Sequence, residues 1–305
     1  MSRSPELVGA IDCGTNTIRL LVGARTHAVV RESRIVRLGQ GVDATGTLAE
    51  QALVRAFACL DEYAVLLTDH GVQRLRFCAT SATRDAANAE VFSAGVRARL
   101  GVEPEVLSGL AEARLAFDGA MSRLVETVAA PILVMDVGGG STELILGGSS
   151  GGDVVAHSMD IGSVRLHERY LHSDPPTPAE VARCVGDIDA QLDACPVNPA
   201  DAMTMAGVAG TFLTVAAGTL GLTAYDASVV DQAVLPISEV RTVCLRLIQS
   251  SVAERIALGY VEVGRADVIG AGALIVSRIL ERSGLEEIVA SEADILDGIA
   301  NSIMN

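Results

Sequence analysis

Two segments of this chain, 124 positions apart, carry one pattern: residues 10–23 and residues 134–147. Asp12, Gly14, Thr17, Leu20 and Gly23 in the first correspond to Asp136, Gly138, Ser141, Leu144 and Gly147 in the second. Each segment reads as an apolar strand, an aspartate, a tight turn of Gly, Ser, Thr or Asn, and a second apolar strand. Such turns gather backbone N–H groups and hydroxyls into a concavity that suits a phosphate. Two of them, one in each half, predict a cleft that grips a phosphate chain from both sides.

A length of 305 residues is enough for two domains with separate cores. Half the residues are apolar, yet aromatics are 3% and Trp is absent, so the cores are built from Leu, Val, Ile and Ala, as in α/β proteins. Aromatic platforms for single-stranded nucleic acid are therefore scarce. A net charge of −15 argues against a nucleic-acid or anionic-membrane surface, though not against a locally positive cleft. All 23 basic residues are Arg, which excludes a P-loop and makes every cationic phosphate contact a guanidinium fork. The 6 cysteines form no CxxC pair and read as reduced thiols of a cytoplasmic protein. No signal-peptide pattern or membrane-length apolar run is present, and the 5 histidines show no metal spacing.

Along the first half, two or three strands from Val8 to Leu38 precede a Gly-rich turn. Thr47 to Glu50 has the form of a capping box, opening a helix that runs to about Asp69. A strand over Arg74–Ala79, a polar loop, a helix from Asn88, a strand near Val102–Leu107 and a helix from Ser108 through Arg123 follow. The second half repeats the order, with a capping box at Thr177–Glu180, a strand over 203–207, a helix from Gly210, and helices over 238–250 and 265–282. It closes with a strand over 287–290 and a terminal helix from Asp294; Gly147–Gly152 reads as a hairpin turn. The expected fold is α/β, two duplicated domains over 1–124 and 125–305, with a hinge near Met121–Val128 and the terminal helix free to pack back on the first.

On these turns the chain resembles the exopolyphosphatase/guanosine pentaphosphatase (Ppx/GppA) family. The resemblance runs from Val8 to Ile299 through seven blocks in order. These are Asp12–Leu20, Ala79–Asn88, Ser108–Leu115, Asp136–Glu143, Gly162–Leu166, Ala206–Thr211 and Arg265–Gly270. It implies an actin/hexokinase/Hsp70-like (ribonuclease H-like) fold with an interdomain cleft, a homodimer, and Mg2+-dependent hydrolysis of a terminal phosphoanhydride. A monovalent-cation requirement stays open. Three departures stand out: Ala111 replaces the first glutamate of the family's pair, Asp294–Gly298 replaces its Gly-Leu-Arg-Glu-Gly, and the expected two-domain body lacks the helical domain of the longer members. If Ser108 is an N-cap, Ala111 occupies the N3 position and the catalytic glutamate is retained as Glu112.

Phosphoanhydride hydrolysis needs an in-line water, a group to activate it, and neutralisation of the transferred phosphoryl. Glu112 is the candidate base; the plainer reading is a first-turn Glu favoured by the helix dipole. Thr15, Asn16, Thr17, Gly138, Gly139, Gly140 and Ser141 are the candidate phosphate cradle. Arg19, Arg84 and Arg265 are the candidate cations, with a salt bridge the alternative for Arg19 and a solvated helix face that for Arg265. Gly210 and Thr211 make a further candidate turn. Asp136 and Glu143 are candidate Mg2+ ligands, directly or through water; Asp12 either joins them or bonds its own turn.

The leading expectation is an exopolyphosphatase acting on inorganic polyphosphate, with short chains as the expected preference. The family alternative is a pppGpp 5′-phosphohydrolase. A sugar-kinase-like phosphotransferase and a non-catalytic sensor of (p)ppGpp are the readings from other classes. The first would need an Asp placed to deprotonate an acceptor hydroxyl, and the second would bind without turnover.

Overall fold

The computed structural model describes residues 6–24, 27–124, 128–148 and 154–304. It comprises two compact units. One runs to Gly119 and takes back the chain from Ile295; the other spans Ala120–Asp294. Residues 125–127 of the expected hinge and residues 149–152 of the expected hairpin turn lie outside the described residues.

The first unit holds a 5-stranded sheet built from β1 (Val8–Cys13), β2 (Thr17–Ala24), β3 (His27–Ile35), β4 (Arg74–Ala79) and β5 (Glu105–Val106). Their order is β3-β2-β1-β4-β5, with β1, β2 and β3 antiparallel and β1, β4 and β5 parallel. Strand β1 is buried along its whole length, which explains its unbroken apolar run. Its side chains alternate between two cores. Ile11 and Cys13 pack with Leu53, Leu60, Tyr63 and Phe92 of the helices Glu50–Asp69 and Ala89–Leu100. Val8 and Ala10 pack with Ile295, Leu296, Ile299 and Ile303 of the helix Ile295–Met304.

In that terminal helix Gly298 keeps the final glycine of the family pattern, and Asp297 stands where the pattern has a glutamate. A Cβ on Gly298 would sit 2.0 Å from the backbone oxygen of Leu115, so glycine here permits close approach to the helix Gly109–Met121. Asp297 accepts two hydrogen bonds from Arg31 of β3, at 3.1 and 2.8 Å.

The second unit holds a 6-stranded sheet from β6 (Ile132–Val137), β7 (Thr142–Gly147), β8 (Val155–Met159), β9 (Thr204–Val208), β10 (Val234–Pro236) and β11 (Glu287–Ala290). The order β10-β11-β9-β6-β7-β8 repeats the first sheet, with β6, β7, β8, β9 and β11 standing for β1 to β5. The antiparallel edge strand β10 is the addition. This duplicated topology, three antiparallel strands followed by parallel ones, is the ribonuclease H-like, actin-type arrangement that the resemblance implied. Helices Pro178–Ala194 and Ile269–Ser283 cover the sheet and are tied by Arg278, which donates to both oxygens of Asp189 at 2.8 and 2.9 Å.

One capping box forms as expected and one does not. Thr177 caps the helix from Pro178, its hydroxyl and backbone N–H both engaged with Glu180. The helix Glu50–Asp69 instead starts after Ala49, with no side-chain cap. Asn88 holds both backbone groups of Leu48, accepting from its N–H at 2.8 Å and donating to its carbonyl at 3.0 Å. That pair keeps the chain extended past Thr47, so a tertiary contact overrides the local signal.

Candidate active site

In each unit the candidate residues follow the carboxyl ends of the parallel strands, the usual ligand edge of an open α/β sheet. In the first, β1 leads into Asp12–Thr17, β4 into Thr80–Arg84 and β5 into Ser108–Glu112. In the second, β6 leads into Asp136–Ser141, β9 into Ala209–Thr211 and β11 into Ser291–Asp294.

The two glycine turns close in the same way. Gly14 N–H donates to the Thr17 carbonyl at 3.0 Å, and Gly138 N–H donates to the Ser141 carbonyl at 3.0 Å. The carbonyls at each tip are drawn back into the unit that carries them. Gly39 N–H bonds the Thr15 carbonyl, and the Val36 and Arg37 N–H groups both bond that of Asn16. In the second turn, Ser163 N–H bonds the Gly138 carbonyl, and Val164 and Arg165 N–H bond that of Gly139. Arg165 Nε donates to the Gly140 carbonyl at 2.7 Å. Peptide planes whose carbonyls face inward present their N–H groups outward, which makes each turn an electropositive nest. Gly162 secures the second turn from below, since a Cβ there would lie 2.4 Å from the Gly139 oxygen. Gly162 and Arg165 fall in a block that the resemblance included, but their supporting role follows only from the fold.

In the first turn the Thr15 hydroxyl shares a hydrogen bond of 2.8 Å with Ser81. The Asn16 side chain is buried at 7% exposure, and neither its oxygen nor its nitrogen has a hydrogen-bond partner. A buried unpaired amide costs about 1–3 kcal/mol, so it points to a ligand.

The carboxylates divide sharply. Across β1 and β2, Asp12 faces Arg19, which donates through Nε and Nη2 to Oδ2 at 3.0 and 2.7 Å. Across β6 and β7, the corresponding register sets Asp136 opposite Glu143, both buried. Ser158 donates to Glu143 at 2.6 Å. In the first hairpin Arg19 is thus engaged by Asp12. The second presents two carboxylates on one face, an all-oxygen donor set that fits a hard divalent ion. Among the described residues no three His, Cys, Asp or Glu side chains gather into a metal site. A Mg2+ there would complete its shell with water and phosphate oxygens.

Glu112 lies in the first turn of the helix Gly109–Met121, 8% exposed. Ser108 is the cap: its hydroxyl accepts from Ala111 N–H at 3.2 Å and its carbonyl from Glu112 N–H at 2.9 Å. Ala111 thus sits where the second half of a capping box would be, and its substitution leaves the Glu112 position intact. Burial pushes the Glu112 carboxyl up to about 7, opposed by the Arg84 guanidinium, raised further by Asp12 and lowered by the Thr80 hydroxyl. A carboxyl poised near neutrality is what a general base requires. Arg84, expected at a phosphate, here donates through Nη1 to Glu112 Oε2 at 3.1 Å.

In the second unit Arg265 lies against Gly210, where a Cβ would approach its guanidinium within 2.5 Å. Thr211 is buried, its methyl packed where a Cβ on Gly272 would be. Gly210 and Arg265 are thus brought together, while Thr211 also packs the helix Ala209–Thr219 onto Ile269–Ser283.

Residues 19–305 match the Ppx/GppA phosphatase family. Exopolyphosphatase 2 of Mycobacterium tuberculosis is 46% identical, covering 97% of this chain and 98% of its own length. The crystal structure of an exopolyphosphatase-like protein superposes with a TM-score of 0.94 at 41% identity, covering 98% of both chains. That of an exopolyphosphatase from Cytophaga hutchinsonii gives 0.90 at 26% identity, again over 98% of both.

Proposed function

The chain belongs to the Ppx/GppA phosphatase family, and from that premise we propose that it is an exopolyphosphatase. It hydrolyses the terminal phosphoanhydride of inorganic polyphosphate and releases orthophosphate. The observation that carries this reading is Glu112, buried, held by Arg84 and raised to about 7 within reach of the charge of Asp12 at the first phosphate turn. Glu112 takes a proton from water as the water oxygen bonds the terminal phosphorus. The bond from that phosphorus to the bridging oxygen breaks, leaving a chain one phosphate shorter. In the first unit the outward N–H groups of the Gly14–Thr17 turn and the Asn16 amide are phosphoryl-binding groups; in the second unit the Gly138–Ser141 turn and Arg265 are another such set. Asp136 and Glu143 would hold Mg2+, which when bound neutralises phosphoryl charge. A homodimer in the cytoplasm is the expected setting, with light scattering as the check on its size.

The test is orthophosphate release by the purified protein with Mg2+ from short polyphosphate, long polyphosphate, pppGpp and ATP. Polyphosphate is expected to be the preferred substrate. Release mainly from pppGpp would replace this reading with alarmone hydrolysis by the same residues. Binding without release from any of them would leave a sensor. In the free enzyme, kcat/KM should rise with pH through about 7 and level off above it, because the base must be ionised.

A further inference from the structure

We propose that Arg84 positions Glu112 for proton abstraction and does not bind the substrate's phosphates; the inference rests on the hydrolase reading above. Arg84 closes the short helix Ser81–Arg84 that follows β4. Its N–H donates to the Thr80 carbonyl at 3.0 Å, which fixes its backbone to the strand end. Its Nη1 then serves two acceptors, the Leu107 carbonyl at 2.9 Å and Glu112 Oε2 at 3.1 Å. A guanidinium Nη carries two hydrogens, so this nitrogen is fully used within the protein.

The anchor is itself fixed. Leu107 N–H donates to the Ala79 carbonyl at 2.9 Å, extending the β4–β5 ladder by one bond. The chain from Ala79 through Thr80 to Arg84, and from Arg84 through Leu107 back to Ala79, forms a closed loop of hydrogen bonds hung on the sheet. Glu112 is attached to that loop through Oε2. Because Arg84 is itself anchored at its backbone and at Leu107, its bond fixes the position of Glu112 Oε2 as a lone flexible Arg–Glu pair would not. The other ionisable groups facing this carboxyl are Asp12, balanced by Arg19, and the thiol of Cys78; Asp85 lies 3.9 Å from Arg84.

The test compares Arg84→Met and Arg84→Lys in the wild-type and Glu112→Gln backgrounds. For a positioning residue, Arg84→Met lowers kcat by a larger factor than it raises the KM for polyphosphate, and Arg84→Lys recovers part of the loss. Polyphosphate affinity of Glu112→Gln then stays within about threefold when Arg84→Met is added. A larger factor in KM than in kcat, or a greater loss of affinity in the Gln background, would overturn the proposal in favour of a phosphate ligand. A readout independent of turnover is the ionisation of Glu112 followed by carboxyl NMR. Its midpoint should move up in Arg84→Met, and an unmoved midpoint would also overturn the proposal. Absence of wild-type release from polyphosphate would defeat the exopolyphosphatase reading while leaving the NMR comparison standing.

Discussion

Glu112→Gln should make the protein more stable as it disables it, and by an amount that depends on pH. The folded carboxyl titrates at about 7 against an ordinary value of 4.5, chiefly because it is buried. Each pKa unit is worth 1.36 kcal/mol, so ionising this buried group costs the folded state about 3 kcal/mol once the pH is above both values. The sign follows from the direction. With a folded pKa above the unfolded one, the wild-type protein keeps this stability below the unfolded pKa and loses it as pH rises through the folded pKa. Glutamine mimics the neutral acid and incurs no such loss. The stability of the Gln variant relative to wild type should therefore grow from about 1 kcal/mol at pH 5 to about 2 at pH 6 and about 3 above pH 7.5. Urea melts of both proteins across pH 5–8.5, without Mg2+ or phosphate, measure the difference. A gap that is flat with pH, or a Gln variant less stable at pH 8, would refute the burial argument.

Three further outcomes follow from particular contacts. Asn16→Leu removes a buried amide with no partner, so stability should hold or rise by about 1–3 kcal/mol while the KM for polyphosphate climbs; a loss of stability in thermal melts would mean that the amide is satisfied. Gly298→Ala forces a Cβ against the Leu115 backbone and should destabilise by about 2 kcal/mol or more, read as a lower midpoint in denaturant. Thr177→Ala should cost about 1 kcal/mol and Thr47→Ala less than about 0.5, because only the first caps a helix; equal losses would contradict the cap assignments.

What could be read from the sequence was what is local along it. The paired hairpins and their turns were visible because aspartate, turn and returning strand are consecutive, and an internal copy 124 residues away repeats them. Ser108 as a cap and Glu112 in the first helical turn were likewise legible from neighbours. The partners of Arg84 were not. Its link to Glu112 spans 28 positions and depends on β4 and β5 lying side by side, which no local pattern encodes. The same holds for the opposed chemistry of the hairpins. Aligning them on their aspartates sets Arg19 against Glu143, but only the strand register shows that one hairpin faces Asp with Arg and the other faces Asp with Glu. At Thr47 the local signal misleads, because Asn88 captures Leu48 first. The short edge strand β10 and the helix Val252–Ala257 are too short to carry a clear periodic pattern, although Ser251 and Glu254 form a complete capping box there.

The measurement that bears most directly on the central claim is orthophosphate release from polyphosphate by Glu112→Gln at saturating substrate, with polyphosphate affinity determined in parallel. If Glu112 activates the attacking water, release falls by at least about 100-fold while affinity changes little. Release within tenfold of wild type, at undiminished affinity, would show that the proton goes elsewhere and contradict the assignment.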